Sequence, residues 1–309
     1  MILCCGEALI DMIPAPTLAG PEGFVPHVGG AIFNTAIALG RLGIPTGMLT
    51  GLSTDMFGIQ LAAALKASHV DTSHAVVSNR PTTLAFVQLN GGQATYNFVD
   101  EGSAGRMLTP VDMPTLTTDV SVLYLGGISL ACEPSADAYI ALLKAEGAHR
   151  PVMIDPNIRP GLVDDIPAYR SRLKGAIGLA DLVKVSDEDL EWLVPGPSSL
   201  KCKATALLEL GPDAVILTRG AEGATGYLKS GAEVQIPAVC AKVIDTVGAG
   251  DTFNAGVLAH LFDAGKLTKM TVSGITPETL QSAIEYGAKV AAITVTRAGA
   301  NPPWRSEVD

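Results

Sequence analysis

The stretch Val243-Ile-Asp-Thr-Val-Gly-Ala-Gly-Asp-Thr-Phe-Asn-Ala-Gly256 sets three small residues, Gly248, Ala249 and Gly250, directly before an acid, Asp251. An apolar helical run follows at Phe253, Val257, Leu258, Leu261 and Phe262. A small-residue turn that opens a helix leaves backbone N–H groups unpaired, and the helix dipole adds partial positive charge there. Such a place binds an anion, typically phosphate. A carboxylate beside it suits a base that takes a proton from a hydroxyl while the turn holds a phosphoryl group in transfer. A tight turn with Asp251 gaining only from the dipole is the alternative that the four residues alone leave open.

Other segments carry candidate contacts. Gly29-Gly30 opens a mostly apolar helix, and paired glycines let a ligand approach the backbone. Asn34 lies one turn into that helix, where it either satisfies an internal hydrogen bond or holds a sugar hydroxyl. Asp11 is expected just after the first strand, at the sheet edge where α/β proteins bind ligands. Asp155-Pro-Asn-Ile-Arg-Pro160 follows an apolar strand. The prolines favour a turn, and Arg159 suits phosphate or an anionic sugar group. Lys184-Val-Ser-Asp-Glu-Asp-Leu190 contains Ser186 and Asp189, which on their own read as a Ser-x-x-acid capping box. Thr218-Arg-Gly-Ala-Glu-Gly223 ends another strand, and Gly220 and Gly223 permit a tight loop around Arg219.

Absences narrow the class. No Gly-x-x-x-x-Gly-Lys-Ser/Thr run occurs, since Gly265-Lys266 is followed by Leu267. The first strand ends on a single Gly6 with no Gly-x-Gly-x-x-Gly after it, which disfavours a dinucleotide oxidoreductase. No Gly-x-Ser-x-Gly elbow occurs either. Net charge is −10 and no basic run tracks a nucleic-acid backbone, so nucleic acid is not an expected partner. The five cysteines have no zinc spacing and read as reduced thiols of a cytoplasmic protein. The N-terminus lacks a signal-peptide pattern, and no apolar run reaches the about 20 residues of a membrane span.

The elements that must position these groups are short apolar strands alternating with helices. Ile2 to Leu9 reads as a strand, Ile32 to Leu42 as a helix stopped by Gly43, Thr46 to Leu52 as a strand and Ile59 to Ala67 as a helix. Val122 to Leu125, Val152 to Ile154, Leu182 to Val185 and Val215 to Leu217 read as strands, each followed by a helical pattern. Continuously apolar strands separated by helices indicate a parallel sheet covered on both faces. Two regions depart from this, the Pro/Gly-rich Ala15 to Val28 and a hairpin-like pair, Leu84 to Leu89 and Ala94 to Phe98, joined through Asn90-Gly91-Gly92. They suggest a small β-sheet lid.

Taken together, Gly6 and Asp11, Gly29 to Gly43, the hairpin, Asp155 to Pro160, Thr218 to Gly223 and Asp245 to Gly256 resemble the ribokinase (PfkB) family of carbohydrate kinases from end to end. The resemblance implies a ribokinase-like three-layer α/β sandwich with a mostly parallel central sheet. It implies one catalytic domain over 1–309, with a lid from segments of about 12–28 and 83–103. It implies Asp251 as base and Gly248, Ala249 and Gly250 as anion hole. Sugar would meet Asp11, Gly29, Gly30, Asn34 and Arg159, and ATP would meet Lys184, Ser186, Thr218, Arg219, Gly220, Gly223 and Gly250. Where the family carries Asn-x-x-Glu, a motif tied to Mg²⁺ and phosphate, this chain has Ser186 and Asp189. Mg²⁺ with ATP is the implied cofactor. A monovalent cation such as K⁺ would use Asp245 and the Val247 carbonyl. Gly6-Glu-Ala-Leu-Ile-Asp11, Tyr96-Asn-Phe98, Gly102 to Arg106 and Asp155 to Arg159 look most like bacterial fructokinases, which implies D-fructose as acceptor. 2-Keto-3-deoxygluconate kinase ranks second, ribokinase or a nucleoside kinase third, and a non-catalytic sugar- or nucleotide-binding regulator is the alternative of another class. Open lid edges imply a homodimer.

Overall fold

A computed structural model describes residues 1–18, 20–90, 93–163 and 165–309. Gly91 and Gly92 of the expected hairpin connection, and Ala19 of the first lid segment, lie outside them. The chain starts with β1 (Ile2–Cys5), followed by β2 (Leu9–Pro16), β3 (Glu22–Gly29), α1 (Ala31–Arg41), β4 (Thr46–Leu49), β5 (Gly51–Ser53), α2 (Met56–Ala67), β6 (Val70–Asp71) and β7 (Val76–Ser78). The hairpin β8 (Leu84–Asn90) and β9 (Gln93–Val99) comes next. Then come β10 (Val122–Gly126), α3 (Ser135–Glu146), β11 (Val152–Asp155), α4 (Ile166–Ile177), β12 (Leu182–Ser186), α5 (Asp187–Leu193), α6 (Leu200–Leu208) and β13 (Ala214–Thr218). The final third holds β14 (Ala224–Leu228), β15 (Glu233–Ile236), α7 (Ala249–Asp263), α8 (Lys269–Ser273), α9 (Pro277–Thr294) and α10 (Arg305–Val308).

Nine strands form one sheet in the order β15-β14-β13-β12-β11-β10-β1-β4-β6, parallel from β13 to β6 and antiparallel at β13-β14-β15. Alternation along each strand fills two cores. Ile2 and Cys4 of β1 pack into the layer that holds α1, α7 and α9, and Leu3 and Cys5 into the layer of α3, α4 and α6. Burial on both faces is why these strands are mostly apolar, with Lys184 of β12 and Asp155 of β11 as buried exceptions. A second sheet, β3-β2-β8-β9, stands apart as the smaller layer.

The structure corrects several boundaries. The first strand does not run to Leu9. It stops at Cys5, because Gly6 passes so close to α1 that an added β-carbon would lie 2.5 Å from Ile32 Cγ1. The chain then turns at Glu7 and leaves the central sheet, so Asp11 is on a lid strand, not at the central sheet's edge. Thr46 to Leu52 is two strands: β4 in the large sheet and β5 in a two-stranded sheet with β7. α2 starts at Met56, capped by Asp55, whose carboxylate accepts from Phe57 and Gly58 N–H. β13 is followed by the antiparallel β14, not by a helix. Among the described residues no helix is long and apolar enough to cross a membrane.

Candidate active site

Helix α7 begins at Gly248, whose φ of +77° is the left-handed conformation that glycine adopts without strain. A β-carbon there would also meet Ala300 Cβ at 2.6 Å. The first helical bond runs from Thr252 N–H to Gly248 O at 2.9 Å, and Ala249 N–H turns back to Thr246 O at 3.2 Å. The N–H groups of Gly248, Gly250 and Asp251 have no acceptor among the described residues. They form a concave donor set at the positive end of the helix.

Asp251 sits in the first turn, 7% exposed. Its Oδ2 accepts from Asn34 Nδ2 at 2.8 Å, and its backbone carbonyl accepts from Thr35 Oγ1 at 3.1 Å. Burial pushes its carboxyl from the ordinary 3.8 up to about 7, with the Asp155 charge adding to the rise; the Asn34 bond and the Lys184 and Arg159 charges oppose it. A carboxylate poised near neutral pH at a positive helix end is suited to accept a proton.

Gly29 and Gly30 bring the chain from β3 into α1. A β-carbon on Gly29 would stand 2.1 Å from Asp11 Oδ2, so the Asp11 carboxylate lies directly against this backbone. Gly30 has φ +107° and passes close to Glu7 O. Burial pushes Asp11 up to about 6 against the Arg159 charge. Arg159 acts on both Asp11 and Asp251, and its guanidinium lies 5.9 Å from the ring centre of Tyr96 on the lid. Asp11, Gly29, Asn34, Arg159 and Asp251 are therefore brought together, with Tyr96 over them.

Next to this cluster, Lys184 of β12 pairs with Asp155 at the end of β11, Nζ to Oδ2 3.0 Å. Asn254, one turn beyond Asp251, donates through Nδ2 to Asp155 Oδ2 at 2.7 Å and to Tyr124 OH at 2.9 Å, while its Oδ1 is buried without a partner among the described residues. Ser186 caps α5: its Oγ accepts from Asp189 N–H at 3.0 Å, and Asp189 Oδ2 accepts from Ser186 N–H at 3.3 Å. Asp189 Oδ1 accepts from Ile158 N–H at 2.9 Å. Burial first, and the Asp155 charge second, raise the Asp189 carboxyl.

Thr218 ends β13, and Gly220 (φ +49°) and Gly223 (φ +88°) shape the loop after it. Arg219 N–H donates to Gly223 O at 2.8 Å, and Arg219 is tied to Glu222 at 2.7 Å. The Asp245 carboxylate accepts from Val247 N–H at 3.0 Å and Gly299 N–H at 2.8 Å, so it fastens the strand–α7 connection to the segment after α9.

Sequence reasoning named Glu7 and Tyr96 only within longer motifs, without a role for either, and did not single out Tyr124. Glu7 is buried; its Oε1 accepts from Ala31 N–H at 3.0 Å and its Oε2 from Ser129 N–H at 3.3 Å, so it caps α1. The available signal was an acid directly after an apolar strand and its terminal glycine.

Comparison with known proteins gives the family and the fold. The profile described as pfkB family carbohydrate kinase matches residues 1–307. The chain is 50% identical over 283 residues to a fructokinase of Rhizobium leguminosarum bv. trifolii, covering 91% of this chain and 86% of that protein. A crystal structure of fructokinase with bound ATP from Xylella fastidiosa superposes with a TM-score of 0.91 at 29% identity, over 99% of this chain and 96% of that one. A double-mutant fructokinase from Vibrio cholerae O395, in fructose-, ADP- and potassium-ion-bound form, gives a TM-score of 0.84 at 26% identity, over 97% and 93%. The chain belongs to the pfkB family of carbohydrate kinases, has the ribokinase-like fold and is a sugar phosphotransferase.

Proposed function

We propose that this pfkB-family chain is an ATP-dependent fructokinase that transfers the γ-phosphoryl group to a primary hydroxyl of D-fructose. The observation that carries the reading is Asp251, a carboxyl pushed up to about 7 beside three free amides at the mouth of α7. Fructose lies between Asp11, Gly29, Gly30, Asn34 and Arg159, beneath Tyr96. Asp251 removes the hydroxyl proton as the oxygen attacks phosphorus, and the Gly248, Gly250 and Asp251 amides receive the charge that develops. Lys184, Ser186, Thr218, Arg219, Gly220 and Gly223 border the phosphates and ribose of ATP, and Ala249 shapes the turn through its bond to Thr246 O.

Mg²⁺ accompanies ATP in this reading. The ion keeps several waters and takes only one or two carboxylates besides the phosphates. Ser186 and Asp189 stand where the family carries its Mg²⁺-linked pair, and with their oxygens already engaged in capping α5 and holding Ile158 N–H they would meet the ion through its waters. When bound, Mg²⁺ offsets the charge of the phosphates. Asp245 and the Val247 carbonyl supply oxygen ligands of the kind a monovalent cation takes.

Fructose is favoured over a keto-deoxy sugar acid by Arg106. A substrate carboxylate would call for a further cation, and Arg106 is instead engaged with Asp100 at 3.7 Å and Glu133 O at 3.2 Å. The lid exposes Phe24, Val25 and Val99 beside the edge strands β3 and β9, which supports a homodimer through the lid. The cysteines, all unpaired, suit the cytoplasm.

A coupled ADP-release assay with fructose, 2-keto-3-deoxygluconate, ribose and a nucleoside tests the reading. Fructose is expected to give the highest kcat/KM. A higher value with any other acceptor overturns the assignment, and no sugar-dependent ADP at all overturns the kinase reading.

A further inference from the structure

Lys184 is 3% exposed and its partner Asp155 is 1% exposed. Burying an ammonium is costly unless its hydrogens are used. One N–H of Lys184 goes to Asp155 Oδ2, and no acceptor for the other two exists among the described residues. The ammonium lies against the anion-binding turn, since a β-carbon on Gly250 would stand 3.2 Å from Nζ. Any side chain at position 250 would crowd it, which gives a reason for glycine beyond turn geometry.

The ammonium is held from behind. Asp155 is fixed by Asn254 Nδ2 at 2.7 Å and by Asn157 N–H, which donates to Oδ1 at 3.2 Å. Gly126 packs so tightly on the Asp155 backbone that an added β-carbon would lie 1.8 Å from its carbonyl oxygen. Asn254 belongs to the same helix as Asp251, so the helix that carries the carboxyl also holds Asp155, the partner of the buried charge, from the central sheet. Despite the desolvation that disfavours it, the Lys184 charge is retained, because Asp155, Asp189 and Asp251 all favour the protonated amine.

We infer that Lys184 is a catalytic residue for phosphoryl transfer, presenting its two free N–H groups beside Gly250 to the oxygens that gain charge in the transition state, and is not merely the neutraliser of Asp155 or a holder of ground-state ATP. This rests on the kinase reading above. The bond from the sugar oxygen to γ-phosphorus forms as the bond to the bridging oxygen breaks. The electron pair leaves on ADP, the sugar proton goes to Asp251, and Lys184 stays protonated throughout.

Lys184→Met alone strands Asp155 as an unpaired buried charge, so the decisive variant is Lys184→Met with Asp155→Asn, which removes both charges at once. Thermal melts establish that it is folded, and kcat and KM for ATP are read at saturating fructose on the alkaline plateau, where Asp251 is ionised in every variant. A drop in kcat of about 10²–10³-fold is expected, the scale of losing one transition-state donor, with KM for ATP changed by less than about threefold. A folded double variant with kcat within about threefold of the parent overturns the inference, because Lys184 then served only Asp155. A loss confined to KM also overturns it, in favour of ground-state binding. Should the double variant not fold, Lys184→Arg decides by the same split: the charge is kept and displaced from Gly250, so a fall in kcat supports the inference and an unchanged kcat overturns it. A parent enzyme without sugar-dependent ADP release overturns the kinase reading instead.

Discussion

Asn34 Nδ2 donates to Asp251 Oδ2 at 2.8 Å, which joins the first turn of α1 to the first turn of α7. Two helix N-termini thus converge on one carboxylate, and the amide both aims it and favours its ionised form. Asn34→Ala removes that bond, so the acid limb of the pH–rate profile should move upward from about 7. The loss of kcat should be larger at pH 6.5 than at pH 8.5. A loss equal at both values would mean that Asn34 contacts sugar without tuning the base.

Asp251→Asn keeps shape and the Asn34 contact while removing the base. Turnover should fall by about 10²–10⁴-fold with fructose affinity little changed, as expected when only proton transfer is lost. Steady-state kinetics with fructose binding measured separately checks this. A near-normal kcat would remove Asp251 from the mechanism.

In the parent enzyme, kcat/KM should rise with pH and level off above about 7, as Asp251 gives up its proton. Asp11, held near about 6 by burial, should steepen the same limb at its lower end. A profile flat from pH 5.5 to 8.5 would contradict both assignments.

The same shift has a consequence for stability, of opposite sense. The folded state keeps the Asp251 proton up to about 7, whereas an unfolded chain loses it near 3.8. Stability contributed by the neutral acid therefore falls as pH rises through that window, and the full cost is present above it. Asp251→Asn should melt higher than the parent at pH 8.5 and show a smaller advantage at pH 5. Scanning calorimetry across that range reads the difference.

Gly256 lets α7 lie against α9, where a β-carbon would meet Gly287 Cα at 2.7 Å. Gly256→Ala should destabilise the fold by about 1–3 kcal/mol through overpacking. Because this contact seats the helix that carries Asp251, kcat should fall as well. Urea unfolding and kinetics on the same sample test both.

Much of this site was legible because its parts are local in sequence. The Gly248-to-Asp251 turn, the Gly29–Gly30 entry to α1 and the glycine loop after β13 are short-range signals of backbone geometry, and the structure places a turn or helix start at each. What was not legible depends on where distant segments meet. Asp11 follows an apolar run, yet Gly6 diverts the chain, and the acid ends up on a lid strand against Gly29. Tyr124 looks like any core residue of a buried strand until Asn254 and Thr35 reach its hydroxyl from two helices. Lys184 within a fully buried strand gave no hint of its partner, since Asp155 is supplied by the neighbouring strand. The hairpin after β13 was missed because continuous apolar runs do not reveal strand direction.

Asn34, Lys184 and Asp251 belong to the early, middle and late thirds of the chain, and the bond that unites the first and last spans 217 residues. The contact therefore exists only where the two ends of the chain have closed on each other, and it reports completed folding as much as it aims a carboxylate.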